Sequence, residues 1–373
     1  MSDTIARLAA AAARDAGASQ STSGLQALGD FGTNPGALKA FVHMPDHLAP
    51  GAPLVVVLHG CTQSAGGYDR ASGWSQLADE QGFALLYPEQ QRGNNANGCF
   101  NWFEPDDTRR DSGEALSIRQ MIATVQERHA IDPRRIFVTG LSAGGAMTAA
   151  MLATYPDVFA AGAIIAGLPH GITSGVVQAF DRMRGHRLPG EAELQAALHD
   201  ASDHAAVWPR LSIWHGDADQ TVSVGNAEAI LAQWRGVHGL ADAPTTVDQV
   251  DGIPHRVWRD RDGRIAVEEY IIPGMGHGTP LNTRGNGAYG SPAPYMLDVG
   301  ISSTLRIAEF WGIAGAQAPR AARSRTKTEP ATLPAQPEAR RLRGQRIDPT
   351  STPSPSGVGR IIEDALRAAG LMK

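Results

Sequence analysis

The stretch "RRIFVTGLSAGGAMTAAM", Arg134 to Met151, decides the fold. Its first half, Arg135 to Gly140, is a short β-branched and aromatic run, and its second half, from Ala143, is rich in alanine and opens with Gly144 and Gly145. A strand passing directly into a helix, with one serine among small residues at the turn, is the pattern of a nucleophile elbow. Such a turn is so sharp that its flanks have to be small, and Gly140, Ala143, Gly144 and Gly145 meet that need. The pattern raises Ser142 above the end of a sheet, with the N-terminus of a helix beneath its hydroxyl. With 42 glycines in the chain a Gly-x-Ser-x-Gly match alone is weak, so the weight rests on the strand before it and the helix after it.

Working outward, "LVVVLHG" from Leu54, "FALLYP" from Phe83, "FAAGAIIAG" from Phe159 and "LSIWHG" from Leu211 are short apolar runs closed by Gly or Pro. They read as strands buried on both faces. Helical spacing alternates with them: Ile118, Met121, Ile122 and Val125 in the stretch from Ser112, the elbow helix from Ala143, and "VGNAEAILAQWRGVHG" from Val224. This alternation predicts an α/β fold with a mostly parallel central sheet and helices on both faces. Residues 167–200 interrupt the rhythm. They read either as a lid-like insertion over the carboxyl ends of the strands or as a plain helical crossover.

The chain has 373 residues, 42% of them hydrophobic and 19% charged, with a formal net charge of −5. Nothing in that balance calls for a nucleic acid or an anionic membrane as partner. The opening "MSDTIARLAAAAARDAG" lacks the basic and apolar regions of a signal peptide, and no run approaches the ~18 apolar residues of a membrane span. A soluble, unexported, cytoplasmic chain is the expectation. For Cys61 and Cys99, reduced thiols are expected, with a single bridge left open. The predicted organisation is an N-terminal helical or flexible segment over 1–37, a catalytic domain over 38–313, a disordered linker over 314–357 and a short amphipathic helix over 358–373. Between Gln317 and Asp348 there are eight Lys or Arg against three Asp or Glu, a basic linker that is expected to be solvated. The last helix would present Ile361, Ile362, Ala365, Leu366 and Ala369 to its own domain, a partner or an apolar surface.

A serine hydroxyl needs a base at neutral pH, and the base needs an orienting carboxylate. In an elbow fold these follow in the order Ser, acid, His, each on a loop after a strand. "HGDADQTV" supplies Asp217 and Asp219 after "LSIWHG", and "VEEYIIPGMGHGTP" supplies His277 after the strand-like "VEEYII". Asp219 is favoured because the loop has turned back toward the sheet by that residue; Asp217 remains the alternative, with stabilisation of the turn as its other role. Two backbone donors are needed for a tetrahedral intermediate, and the amides of Ala143 and Cys61 are the candidates. His59 reads as a structural histidine that holds its loop. Trp102, in "NNANGCFNWFE", and Tyr295, in "APYMLDVG", are candidate walls of a substrate pocket.

Taken together, "LHGCTQSA", "ADEQGFALLYPEQ", "GCFNWF", the elbow block, "HGDADQTV" and "GMGHG" resemble the esterase family that includes polyhydroxybutyrate depolymerases and feruloyl or acetylxylan esterases, within the α/β-hydrolase fold. The resemblance spans roughly 38–312. It implies a serine ester hydrolase with Ser142 as nucleophile, Asp219 as acid, His277 as base and the Cys61 and Ala143 amides as oxyanion donors, acting on an ester or polyester without metal or organic cofactor. Two departures stand out. Members that degrade solid polymer usually carry a signal peptide and a separate binding module, so the resemblance implies secretion as the alternative to a cytoplasmic chain, and after His277 this chain reads "GTPLNTRG" where many relatives have a tryptophan-containing loop. A polyester depolymerase or oligomer hydrolase is the leading reading, a feruloyl or acetylxylan-type esterase the second, and a non-catalytic granule-binding protein, attached through its tail, the rival from another class.

Overall fold

A computed structural model describes residues 24–285 and 287–315. All of the predicted linker but residues 314 and 315, the terminal helix and most of the predicted N-terminal segment lie outside the described residues, and Ala314, expected in the linker, is buried in the core. Ten strands form one sheet: β1 (Gln26–Ala27), β2 (Lys39–His43), β3 (Ala52–Leu58), β4 (Ala84–Glu89), β5 (Ile131–Leu141), β6 (Ala161–Ile165), β7 (Arg210–Gly216), β8 (Thr246–Val250), β9 (Ile253–Arg259) and β10 (Ile265–Ile272). Their spatial order is β1-β2-β4-β3-β5-β6-β7-β10-β9-β8. The six strands from β4 to β10 run parallel, and antiparallel strands finish both edges. This is the α/β-hydrolase-like architecture expected from the sequence.

The parallel strands read as continuous apolar runs because helices cover both faces. On β5, Ile136 and Val138 enter one core with Ile118, Met121, Ile122 and Val125 of the helix Gly113–Arg128, whereas Phe137 enters the other with Trp74 and Trp311. Alternate side chains thus serve opposite cores. Phe137 and Trp74 both stack on Trp311, at ring separations of 5.0 and 5.8 Å.

Some expectations change. The fold begins before residue 38: Ala27 pairs with Phe41, and the amide of Asn34 donates to Gln120 Oε1 at 2.9 Å. Residues 167–200 form two helices, Val176–Met183 and Glu191–Ala201. The second behaves as a crossover helix, with Leu198 in the main core and Gln195 against Gly236 of the helix Gly225–His238. The first leaves Val177 82% exposed. The chain leaves β3 for β4 on one side and returns to β5 on the other, which opens a crevice at the carboxyl ends of β3 and β5.

Candidate active site

Ser142 follows β5 and caps the helix Ala143–Thr154 with φ 58° and ψ −117°. A residue with a Cβ holds such a backbone only when its surroundings enforce it. Its N–H donates to the Ile165 carbonyl at 2.9 Å, and its own carbonyl accepts from the Ala146 N–H at 2.8 Å. A Cβ on Gly144 would fall 2.3 Å from the Leu58 carbonyl oxygen, so the helix closes on the end of β3 only because glycine stands there.

His277 meets this serine. Its Nε2 lies 2.9 Å from Ser142 Oγ and its Nδ1 2.7 Å from Asp219 Oδ2. A carboxylate only accepts, so Nδ1 carries the proton and the bare Nε2 faces the hydroxyl. Asp219 is fixed in turn: its Oδ1 accepts from the amides of Thr221 at 2.8 Å and Val222 at 2.9 Å. The buried His215 places Nε2 3.5 Å from Asp219 Oδ2. Burial by itself raises the pKa of Asp219, but the nearby His215, the hydrogen bond and charge of His277 and the Val222 amide outweigh it and hold the carboxyl well below the usual carboxylate range.

Asp217 turns elsewhere and accepts from the Gly274 amide at 2.6 Å. That bond ties the acid loop to the histidine loop. The two loops run backbone on backbone, since a Cβ on Gly216 would lie 2.1 Å from the Met275 carbonyl oxygen.

Neither the Cys61 nor the Ala143 amide donates to a protein acceptor among the described residues. The expectation of reduced thiols is corrected: Cys61 and Cys99 form a disulfide. Their separation of 38 in sequence conceals that they follow β3 and β4, which are neighbours in the sheet. His59 holds the same loop. Its Nδ1 donates to the Gly60 carbonyl at 2.8 Å, its Nε2 accepts from the Gln90 amide at 3.1 Å, and burial lowers its pKa.

Trp102 is half-buried and packs against a small apolar cluster containing Ala146, Leu168, Ile172 and Val222. It also lines a cavity of about 450 Å³ bounded by Arg109, Arg110, His170, Gln178 and Ala201. Tyr295 stands edge-on to His277, ring centres 6.0 Å apart. It is held there because β11 (Thr279–Leu281) pairs with β12 (Met296–Asp298) and Thr279 N–H donates to the Tyr295 carbonyl at 2.8 Å. The segment that departs from the tryptophan-containing pattern, residues 278–285, therefore holds a tyrosine from the later stretch around Tyr295 beside the histidine. Sequence reasoning missed His215, Gln90 and Glu114; only the preceding "WH" of the acid loop offered any signal, and only for the first.

Residues 40–252 match the family described as esterase PHB depolymerase. Poly(3-hydroxyalkanoate) depolymerase C of Paucimonas lemoignei is 46% identical over 80% of this chain and 72% of its own length. Feruloyl esterase B of Talaromyces stipitatus is 30% identical over 69% of this chain and 73% of its own. The solved acetyl xylan esterase from Aspergillus awamori matches with a TM-score of 0.66 at 25% identity, over 78% of this chain and 99% of that one. No described helix is long and apolar enough to cross a membrane. The chain belongs to the esterase PHB depolymerase family and is a carboxylester hydrolase.

Proposed function

We propose that this chain hydrolyses polyhydroxyalkanoate esters through an acyl-enzyme, with Ser142 as nucleophile, His277 as base and acid, and Asp219 as the group that orients and stabilises the imidazolium. The hydrogen-bonded line from Asp219 through His277 to Ser142 carries this reading. Ser142 Oγ attacks the ester carbonyl as its proton passes to His277 Nε2, and the oxyanion is received by the Cys61 and Ala143 amides. Collapse expels the alcohol, which takes the proton from His277. Water then attacks the acyl-serine, gives its proton to His277 and releases the acid.

Polyester is favoured over polysaccharide esters by the 46% identity to a poly(3-hydroxyalkanoate) depolymerase, and the cavity beside Trp102 is the candidate subsite. Its charges are mostly spent: Arg109 pairs with Asp106 at 2.9 Å and Arg110 with Asp157 at 2.7 Å. Its threonines are spent as well, Thr108 on the Glu104 carbonyl and Thr173 on that of Gly175. Left unspent among the described residues are the Trp102 indole N–H, the Gln178 amide N–H groups and the His170 imidazole, whose pKa burial pushes down to about 4. Asp200 at the exposed edge is the one unspent carboxylate of the lining. The lining thus offers donors, acceptors and apolar surface together. The Cys61–Cys99 bridge fits an oxidising compartment in place of the cytoplasm expected from sequence.

Ser142→Ala is expected to abolish hydrolysis of p-nitrophenyl butyrate, and retained turnover would sink the mechanism. Ranking 3-hydroxybutyrate oligomers, feruloyl esters and acetylated xylo-oligosaccharides by kcat/KM tests the substrate class, and a preference for either of the last two overturns it.

A further inference from the structure

Glu114 is a carboxylate the chemistry above does not use. It stands in the first turn of the helix Gly113–Arg128 and is 1% exposed. Its Oε2 accepts from the backbone N–H of Asn101 at 3.0 Å, directly before Trp102. Its Oε1 accepts from Gln90 Nε2 at 2.5 Å. Gln90 is a hub: Nε2 also donates to the Cys99 carbonyl at 3.0 Å, and its backbone N–H donates to His59 Nε2 at 3.1 Å. Cys99 is bonded to Cys61, and His59 lies two residues before Cys61 in the same loop. One carboxylate therefore grips the Trp102 segment directly and the Cys61 loop through Gln90.

We propose that Glu114 is a positioning residue that, as an ionised carboxylate, holds the Cys61 amide and the Trp102 wall in one frame. The inference rests on the reading of Cys61 and Trp102 given above. Ionisation follows from the hydrogen bonds. Gln90 cannot turn its amide over, because its Oε1 already accepts from the Gln91 N–H and from Asn94 Nδ2, both at 2.9 Å. Both oxygens of Glu114 thus face N–H donors, and a proton on either would meet another proton.

Its surroundings oppose that ionised state. Burial, then the charge of Asp107, push the Glu114 pKa from 4.5 up to about 8, against the lowering bonds from Asn101 and Gln90. Asp107 is the charged group that faces it: Oδ1 accepts from the Glu114 N–H at 3.1 Å and Oδ2 from Asn101 Nδ2 at 3.1 Å. The other neighbours carry no charge: Gln90, Asn101, the Gly36 backbone packed on the Glu114 Cα, and, one step beyond Gln90, His59, whose pKa burial lowers. Below the raised pKa a proton displaces one N–H donor and loosens the 99–102 segment; above it the frame closes.

The test is the pH profile of kcat/KM on p-nitrophenyl butyrate, paired with hydrogen exchange of the Asn101 amide. Wild type is expected to show a rise near pH 8, and Asn101 protection, corrected for intrinsic exchange, that grows over the same interval. Glu114→Gln, neutral at every pH, is expected to lack both changes and to lie about tenfold below wild type in kcat/KM at pH 9. A loss that is uniform across pH, or an unchanged rise near pH 8 in the variant, overturns the proposal by reducing Glu114 to a structural group. The wild-type exchange profile needs no variant, so a poorly folded Glu114→Gln does not shelter the idea. A wild type without esterase activity defeats the reading of the site, whereas an Asn101 amide indifferent to pH in wild type defeats the role of Glu114.

Discussion

The strand-end loops that carry Ser142, Asp219 and His277 and the walls around Trp102 are built by different physics. The loops are held backbone against backbone: a single Cβ at Gly144 or Gly216 would collide with a carbonyl oxygen of the neighbouring loop. The walls are held by side chains, including the Arg110–Asp157 pair, the Gln90–Glu114 bond and the Cys61–Cys99 bridge. Backbone contacts of the first kind leave no room for substitution and fix a geometry to fractions of an ångström. Side-chain contacts of the second kind can be exchanged singly, which is how one reaction centre serves different esters.

The two carboxylates of the acid loop, Asp217 and Asp219, differ in what they hold. Asp219→Asn removes the acceptor that fixes the His277 tautomer, and kcat is expected to fall by about 10⁴-fold with little change in fold. Asp217→Asn, two residues away, loses only the bond to Gly274, and kcat is expected to stay within about threefold while stability falls by about 1 kcal/mol. Equal losses in steady-state assays of the two variants would remove the distinction drawn between them.

A smaller effect is expected from the bridge that joins the two regions. Cys61→Ser with Cys99→Ser opens a loop closed across 38 residues and is expected to cost about 2–4 kcal/mol in denaturant unfolding. If the bridge also steadies the Cys61 amide, kcat on p-nitrophenyl butyrate falls as well, by about tenfold. The walls are expected to act on substrate choice. Ala201→Trp narrows the cavity and is expected to lower kcat/KM for a 3-hydroxybutyrate tetramer about tenfold relative to p-nitrophenyl acetate measured on the same preparation. A ratio equal to that of wild type would remove the cavity from substrate recognition.

The pH dependence of stability separates the regions again. Folding raises the Glu114 pKa from 4.5 to about 8, so the folded chain holds this proton more tightly than the unfolded one. That contribution is fully present below pH 4.5 and is lost as pH rises through 8. Asp219 has the opposite sign: its folded pKa is depressed, so its contribution is present above the ordinary carboxylate range and is lost only as pH falls through the folded value.

Legibility followed the same division. The buried parallel strands were readable because both faces are covered, which leaves continuous apolar runs such as Leu54–Leu58. The hairpin β8–β9 was not, since β8 is half-exposed, with polar Thr246, Asp248 and Gln249 among its five residues. Ser142 and the loops of Asp219 and His277 could be located from residue type, small flanks and chain order. The bridge was misjudged because sequence separation carries no information on which strands become neighbours.

By itself the sequence determined the layered α/β architecture and the three residues that now form the hydrogen-bonded line, because sharp turns and doubly buried strands restrict residue type locally. The tertiary structure decided the rest. It chose Asp219 over Asp217 for His277, joined Cys61 to Cys99, set Tyr295 beside the imidazole and gathered Gln90, Asn101 and Glu114 into one buried network. Those partners lie far apart in the chain, and a hydrogen bond or a disulfide depends on separations of a few ångströms that only strand order and loop closure impose.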